Sequence, residues 1–138
     1  MAEQDITFLR HTGLQVCQAF ERLGGEIELM LREVDLTLDR MRQPEYRLPH
    51  TTLRQMLAHG TDATGREDFG LHVGNTVEPL TFASVGISWL SSDMAWHGMQ
   101  RMARFSELMV TGARPILTET DTTIEVCLNG ERIEFASP

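Results

Sequence analysis

The chain has 138 residues, 41% hydrophobic and 23% charged, which is enough for a packed core and argues against disorder, and no run approaches the ~18 apolar residues of a membrane helix. All twelve basic residues are arginine, so Schiff-base catalysis, pyridoxal-phosphate attachment and a phosphate-loop lysine are excluded. Twenty acidic residues leave a net charge of −8, which argues against holding nucleic acid unaided, because phosphate neutralisation supplies most of that affinity.

The acidic start, Met1 to Asp5, lacks the basic flank and apolar stretch of a secretory signal and points to the cytoplasm. From Phe8 to Leu23, Leu9, Gly13, Val16 and Phe20 fall on one stripe at the 3.6-residue period, which predicts an amphipathic helix stopped by Gly24 and Gly25. Cys17 in that helix and Cys127 are too few and too distant for a disulfide framework and read as small buried hydrophobes. Ile27, Met30, Leu31 and Val34 repeat the pattern in a shorter helix, and residues 35–44 form a connector with one turn around Leu38. The residue before a proline is pushed out of the helical region, so Arg47 to Pro49 is extended. A third helix follows, buried through Leu53, Met56, Leu57 and Gly60, and ends near Thr64 and Gly65. Glu67 or Asp68 then favours a short helix start, through free backbone amides and the helix dipole.

Beyond the turn at Glu78 and Pro79, the almost wholly apolar segment from Ala83 to Leu90 predicts a short, fully buried helix in which Gly86 lets a neighbour approach closely. Ser92 or Asp93 caps the next helix, read from Met94 to Met109, with Ala95, Trp96, Met99, Met102, Ala103 and Met109 on its apolar side. The period then changes to two. Ile124, Val126 and Leu128 alternate with polar residues, Asn129 and Gly130 supply a hairpin turn, and Ile133 and Phe135 return, making Val126 and Ile133 cross-strand neighbours. With Arg114 to Thr120 as a leading strand, the fold class is α+β: N-terminal helices followed by a three-stranded antiparallel β-meander.

Tyr46 to Pro49, the glycine-punctuated run Thr64 to Gly74 and the segment from Gly86 through Asp93 to Met109 form an ordered series. With its flanks, from about Gly13 to Phe135, this series resembles the N-terminal, arabinose-binding-domain-like sensor region of AraC-type transcriptional activators. The resemblance implies one sensor and dimerisation domain over residues 1–138 that binds a small-molecule effector, forms a homodimer and reaches DNA only through a C-terminal helix-turn-helix domain. No such basic region occurs in the sequence, so the chain reads as the N-terminal part of a regulator. The same resemblance implies no catalysis, no cofactor and no membrane partner. The sequence departs from the family's usual residues at Trp96 and His97, and at Phe105 it lacks a tyrosine hydroxyl.

The residues themselves offer little chemistry. Asp68 with His72, and Asp93 with His97, each stand one helical turn apart and could begin a metal site, but nothing in sequence supplies a third ligand. The nearest approach to a nucleophile elbow, Phe82 to Gly86 around Ser84, has phenylalanine in place of the first glycine. Gly65, Gly70 and Gly74 have neither phosphate-loop nor dinucleotide spacing. His11, His50 and His59 are isolated, which leaves a haem- or lipid-binding sensor, and less readily a small enzyme, as the alternative classes.

Soft and aromatic side chains are concentrated between Phe82 and Phe105, a composition that suits either a core or a small-molecule pocket. On the pocket reading the ligand-binding residues are Phe82, Trp89, Trp96, His97 and Met99. A tight corner through Ser91 to Asp93 would bring the two indoles together near Met99, with His97 at the rim.

Overall fold

A computed structural model describes residues 6–113, 115–119, 124–128 and 131–133. The architecture is α+β and mostly helical, with seven α-helices and a three-stranded antiparallel sheet among the described residues. Contacts within the chain group into two compact units, Met1–Glu78 and Pro79–Pro138.

In the first unit, β1 (Thr7–Leu9) pairs antiparallel with β2 (Arg47–Pro49), Phe8 standing opposite Leu48. Helix α1 (Arg10–Arg22) therefore starts two residues later than the periodicity suggested. The pairing claims those residues: the His50 amide donates to the Ile6 carbonyl at 2.9 Å, and the Arg47 guanidinium donates to the Thr7 carbonyl at 3.1 Å. Helices α2 (Ile27–Glu33), α3 (Leu38–Arg42), α4 (His50–Thr64) and α5 (Phe69–Gly74) follow. Thr37 caps α3 by accepting from the Arg40 amide at 3.2 Å, which makes the expected single turn a defined helix. Gly65 ends α4 in the left-handed region at φ 66°, where a residue without Cβ is unstrained.

The stripes meet in one core. Val16 and Phe20 of α1, Met30 of α2, Met41 of α3, Leu48 of β2, Met56 of α4 and Phe69 of α5 are all buried together. Phe20 meets Phe69 edge-on, with centroids 6.3 Å apart and planes at 89°. Cys17 is buried in this core, and burial pushes its thiol up to about 11. Gly60 supplies the clearance for Phe69: a Cβ there would lie 2.7 Å from Cδ1 of the ring and closer still to Cε1 and Cζ. At the start of α5 the Asp68 side chain does not cap the helix as expected. It is held by the Arg66 guanidinium instead, through contacts of 3.0 and 3.1 Å.

The second unit begins with a 3-10 turn, Pro79–Phe82, which runs into α6 (Ala83–Leu90). A Cβ at Gly86 would overlap the Pro79 carbonyl, so the close approach expected there is real and is made by backbone. The helix is not fully buried, however. Val85 and Gly86 face inward while Ile87 and Leu90 are more than half exposed, because the Pro79–Phe82 turn and the following helix, Ala95–Arg104, cover only part of its surface. Helix α7 (Ala95–Arg104) ends five residues before Met109, in a 3-10 turn, Ser106–Leu108. Ser106 explains the early stop, since its hydroxyl bonds back to the Ala103 carbonyl at 2.9 Å and competes with the helical pattern. The residue before α7 is Met94, with no side-chain cap from Ser92 or Asp93.

After the two-residue strand β3 (Val110–Thr111), strands β4 (Pro115–Glu119), β5 (Ile124–Leu128) and β6 (Glu131–Ile133) form an antiparallel meander. Leu117 pairs with Val126, and Val126 with Ile133, the cross-strand register expected from the alternation. The Asn129–Gly130 turn and Phe135 lie outside the described residues, as does the side-chain face of β5 and β6 apart from Cys127. Among the described residues no helix is long and apolar enough to cross a membrane.

Candidate functional site

The corner between α6 and α7 is built on one acceptor. The Ser88 carbonyl, near the C-terminal end of α6, accepts from Ser92 Oγ at 2.8 Å, from Ser91 Oγ at 3.3 Å and from the Arg101 guanidinium of α7 at 3.3 Å. A cation at the negative end of a helix is favourable, so Arg101 ties α7 to α6 while satisfying a terminal carbonyl. Trp89 packs over Gly98, where a Cβ would stand 3.5 Å from its indole Cδ2.

Behind this corner lies a hollow of about 220 Å³. Trp89 forms one wall, and Met99, Met102 and Ala103 of α7 form another at the i, i+3, i+4 spacing of one helix face. Met109, Val110, Ala113, Pro115 and Leu117 close it from the segment that enters the meander. Ser106 carries the lining's one side-chain hydroxyl, and no charged side chain takes part.

Trp89 and Met99 are thus brought together, and the other sequence candidates are elsewhere. Phe82 is half-buried in the turn before α6, Trp96 is half-buried one turn before Met99, and His97 is exposed on α7, about 200° around the helix from Met99. No ring contact joins Trp89 to Trp96 among the described residues. Met102, Ala103, Ser106, Met109, Val110, Ala113, Pro115 and Leu117 were not foreseen as lining. The spacing from Met99 leads to Met102 and Ala103, but nothing local announces that β4 and the loop before it close the same space.

A second hollow, about 480 Å³, lies along α2 and α3. It is the larger by volume and the weaker as a site. Its charged groups, Glu28, Arg32, Asp35, Asp39 and Arg42, are all exposed, so water already solvates what a ligand would have to reach.

The chain matches the arabinose-binding domain of AraC transcription regulators, N-terminal, over residues 24–136. It belongs to that family. No curated protein matched the chain. Membership makes it a ligand-sensing regulatory domain, as the ordered glycine and aromatic series had suggested.

Within this AraC-family domain the histidine and carboxylate pairs have other partners or none that makes a site. Asp68 Oδ2 stands 3.3 Å from His72 Nε2, but both of its oxygens also face Arg66, whose hydrogen bonds hold the carboxyl below its ordinary range. A guanidinium therefore occupies the side from which a cation would bind. Asp93 and His97 are both exposed. Among the described residues no three His, Cys, Asp or Glu groups are placed to hold a metal. His11 is held below its ordinary range, first by burial and then by Arg10, and His59 packs edge-on to Phe20 in the first unit's core. Ser91 and Ser92 bond back to the Ser88 carbonyl at the end of α6.

Proposed function

We propose that this domain senses a small-molecule effector in the hollow beside Trp89 and Met99, and that occupancy is passed to a DNA-binding domain of the same regulator. The observation that carries the reading is the convergence of α6, α7 and β4 on one apolar space. Apolar concavities with few polar groups are where proteins most often hold small molecules. A ligand that fits one arrangement of these three elements better than another shifts their population, and no bond need be made or broken. Catalysis is not part of this function. A haem macrocycle far exceeds 220 Å³, so the volume favours a small effector over that alternative.

The reading extends to a homodimer. Ile87, Leu90 and Met94, each more than half exposed, give the second unit apolar side chains suited to association. The net charge of −8 supports leaving DNA contact to a separate domain. The test is extraction of the natively purified protein followed by mass spectrometry. A small molecule retained by the parent and lost from Met99→Trp, which fills the hollow, supports the proposal. Equal retention by both proteins refutes the location.

A further inference from the structure

We infer that the hollow beside Trp89 accepts a small, uncharged, apolar aromatic compound and rejects sugars. The inference rests on reading this hollow as the effector site, and it is drawn from what the lining offers and withholds.

Size comes first. A cavity of about 150 Å³ with apolar walls stays dry and holds benzene, so 220 Å³ suits one aromatic ring with one or two small substituents. The walls then choose among molecules of that size. Met99, Met102 and Met109 present polarisable thioethers, which favour the edge of an aromatic ring, and Trp89 adds a ring for offset or edge-on packing.

Polar matching sets the rest. The lining presents almost no polar surface: the Ser106 hydroxyl is buried and donates to the Ala103 carbonyl at 2.9 Å, so even one ligand hydroxyl goes unpaired there. A sugar would bring several, and each one left unpaired costs roughly tenfold in affinity. A carboxylate would find no cationic side chain in the lining.

The experiment is isothermal titration of the full chain with p-cresol, toluene, benzoate and L-arabinose, repeated on Ala103→Leu, Leu117→Trp and Ser106→Ala after circular dichroism has checked their helix content. Saturable toluene binding is expected, weaker p-cresol binding, and no heat from benzoate or arabinose. Ala103→Leu, which fills the hollow from α7, should weaken toluene at least tenfold. Leu117→Trp blocks from β4 and should do the same, so the result does not hang on one variant folding. Ser106→Ala should leave the preference for toluene over p-cresol in place, and a parent that prefers p-cresol until Ser106 is replaced overturns the apolar assignment.

Arabinose or benzoate binding that both filling variants abolish overturns the ligand class while leaving the hollow as the effector site. Binding of toluene that neither variant weakens means that the site itself is misplaced. Absence of binding by any of the four probes also overturns the inference.

Discussion

Gly60→Ala tests the packing of the first unit with a single methyl group. Replacing glycine inside a helix ordinarily stabilises by about 0.5–1 kcal/mol, because the unfolded chain loses freedom. Here the new methyl would stand 2.7 Å from Phe69 Cδ1 and nearer still to Cε1 and Cζ, whereas carbon atoms rest at about 3.5–4.0 Å. The ring must retreat by roughly 1.5 Å at its nearest atoms. Phe69 is fully buried and Phe20 stands edge-on against it, so the retreat runs into occupied space. Overpacking of this kind costs about 1–3 kcal/mol, which outweighs the helical gain and leaves a net loss of about 1–2 kcal/mol. For a unit of this size that lowers the melting temperature by roughly 5–15 °C. Both tryptophans lie beyond residue 78, so far-UV circular dichroism during urea and thermal unfolding is the suitable probe. Gly70→Ala is the control, since nothing lies within 4 Å of its would-be Cβ, and it should be neutral or stabilising by up to ~1 kcal/mol. If Gly60→Ala tracks Gly70→Ala, the clearance argument is wrong.

Met56→Ala, at a position with no solvent exposure in the same core, should cost about 2–5 kcal/mol; a loss under ~1 kcal/mol in urea unfolding would mean the site collapses around the gap. The Cys17 thiol ionises near 9.0 when unfolded and near 11 when folded, so the folded state loses stability as pH climbs between those values, by about 2–3 kcal/mol in all. Cys17→Ala should flatten that alkaline limb, and an identical limb in both proteins would refute the assignment. Fluorescence anisotropy should detect no binding of this chain to duplex DNA at moderate salt, and micromolar, sequence-selective binding would contradict the charge argument.

Much of the first unit was legible because its helices are amphipathic. The stripe through Leu53, Met56 and Gly60 is the face that α4 buries, and Gly65 marks its end. Strand β1 was not legible. Phe8 and Leu9 read as the start of a helix until β2, some 40 positions away, pairs with them. The apolar run of α6 suggested burial on every side, but composition does not say how many neighbours arrive, and the Pro79–Phe82 turn and α7 leave Ile87 and Leu90 exposed. At the candidate site, Trp89 and Met99 were visible as soft, bulky residues within the one stretch from Phe82 to Phe105. Trp96 and His97 share that segment but not the lining, and the walls contributed by Pro115 and Leu117 depend on how the chain returns after α7.

Two of the glycines constrain how this sequence can drift. At position 60 the obstacle is a side chain, so a larger residue becomes tolerable if Phe69 shrinks, and the two positions should covary in a pairwise substitution scan. At position 86 the obstacle is the Pro79 carbonyl, which every residue carries. No partner substitution can remove it. Every side chain at 86 should therefore fail alike whatever its chemistry, and rescue should come only from altering the course of the turn at Pro79–Phe82.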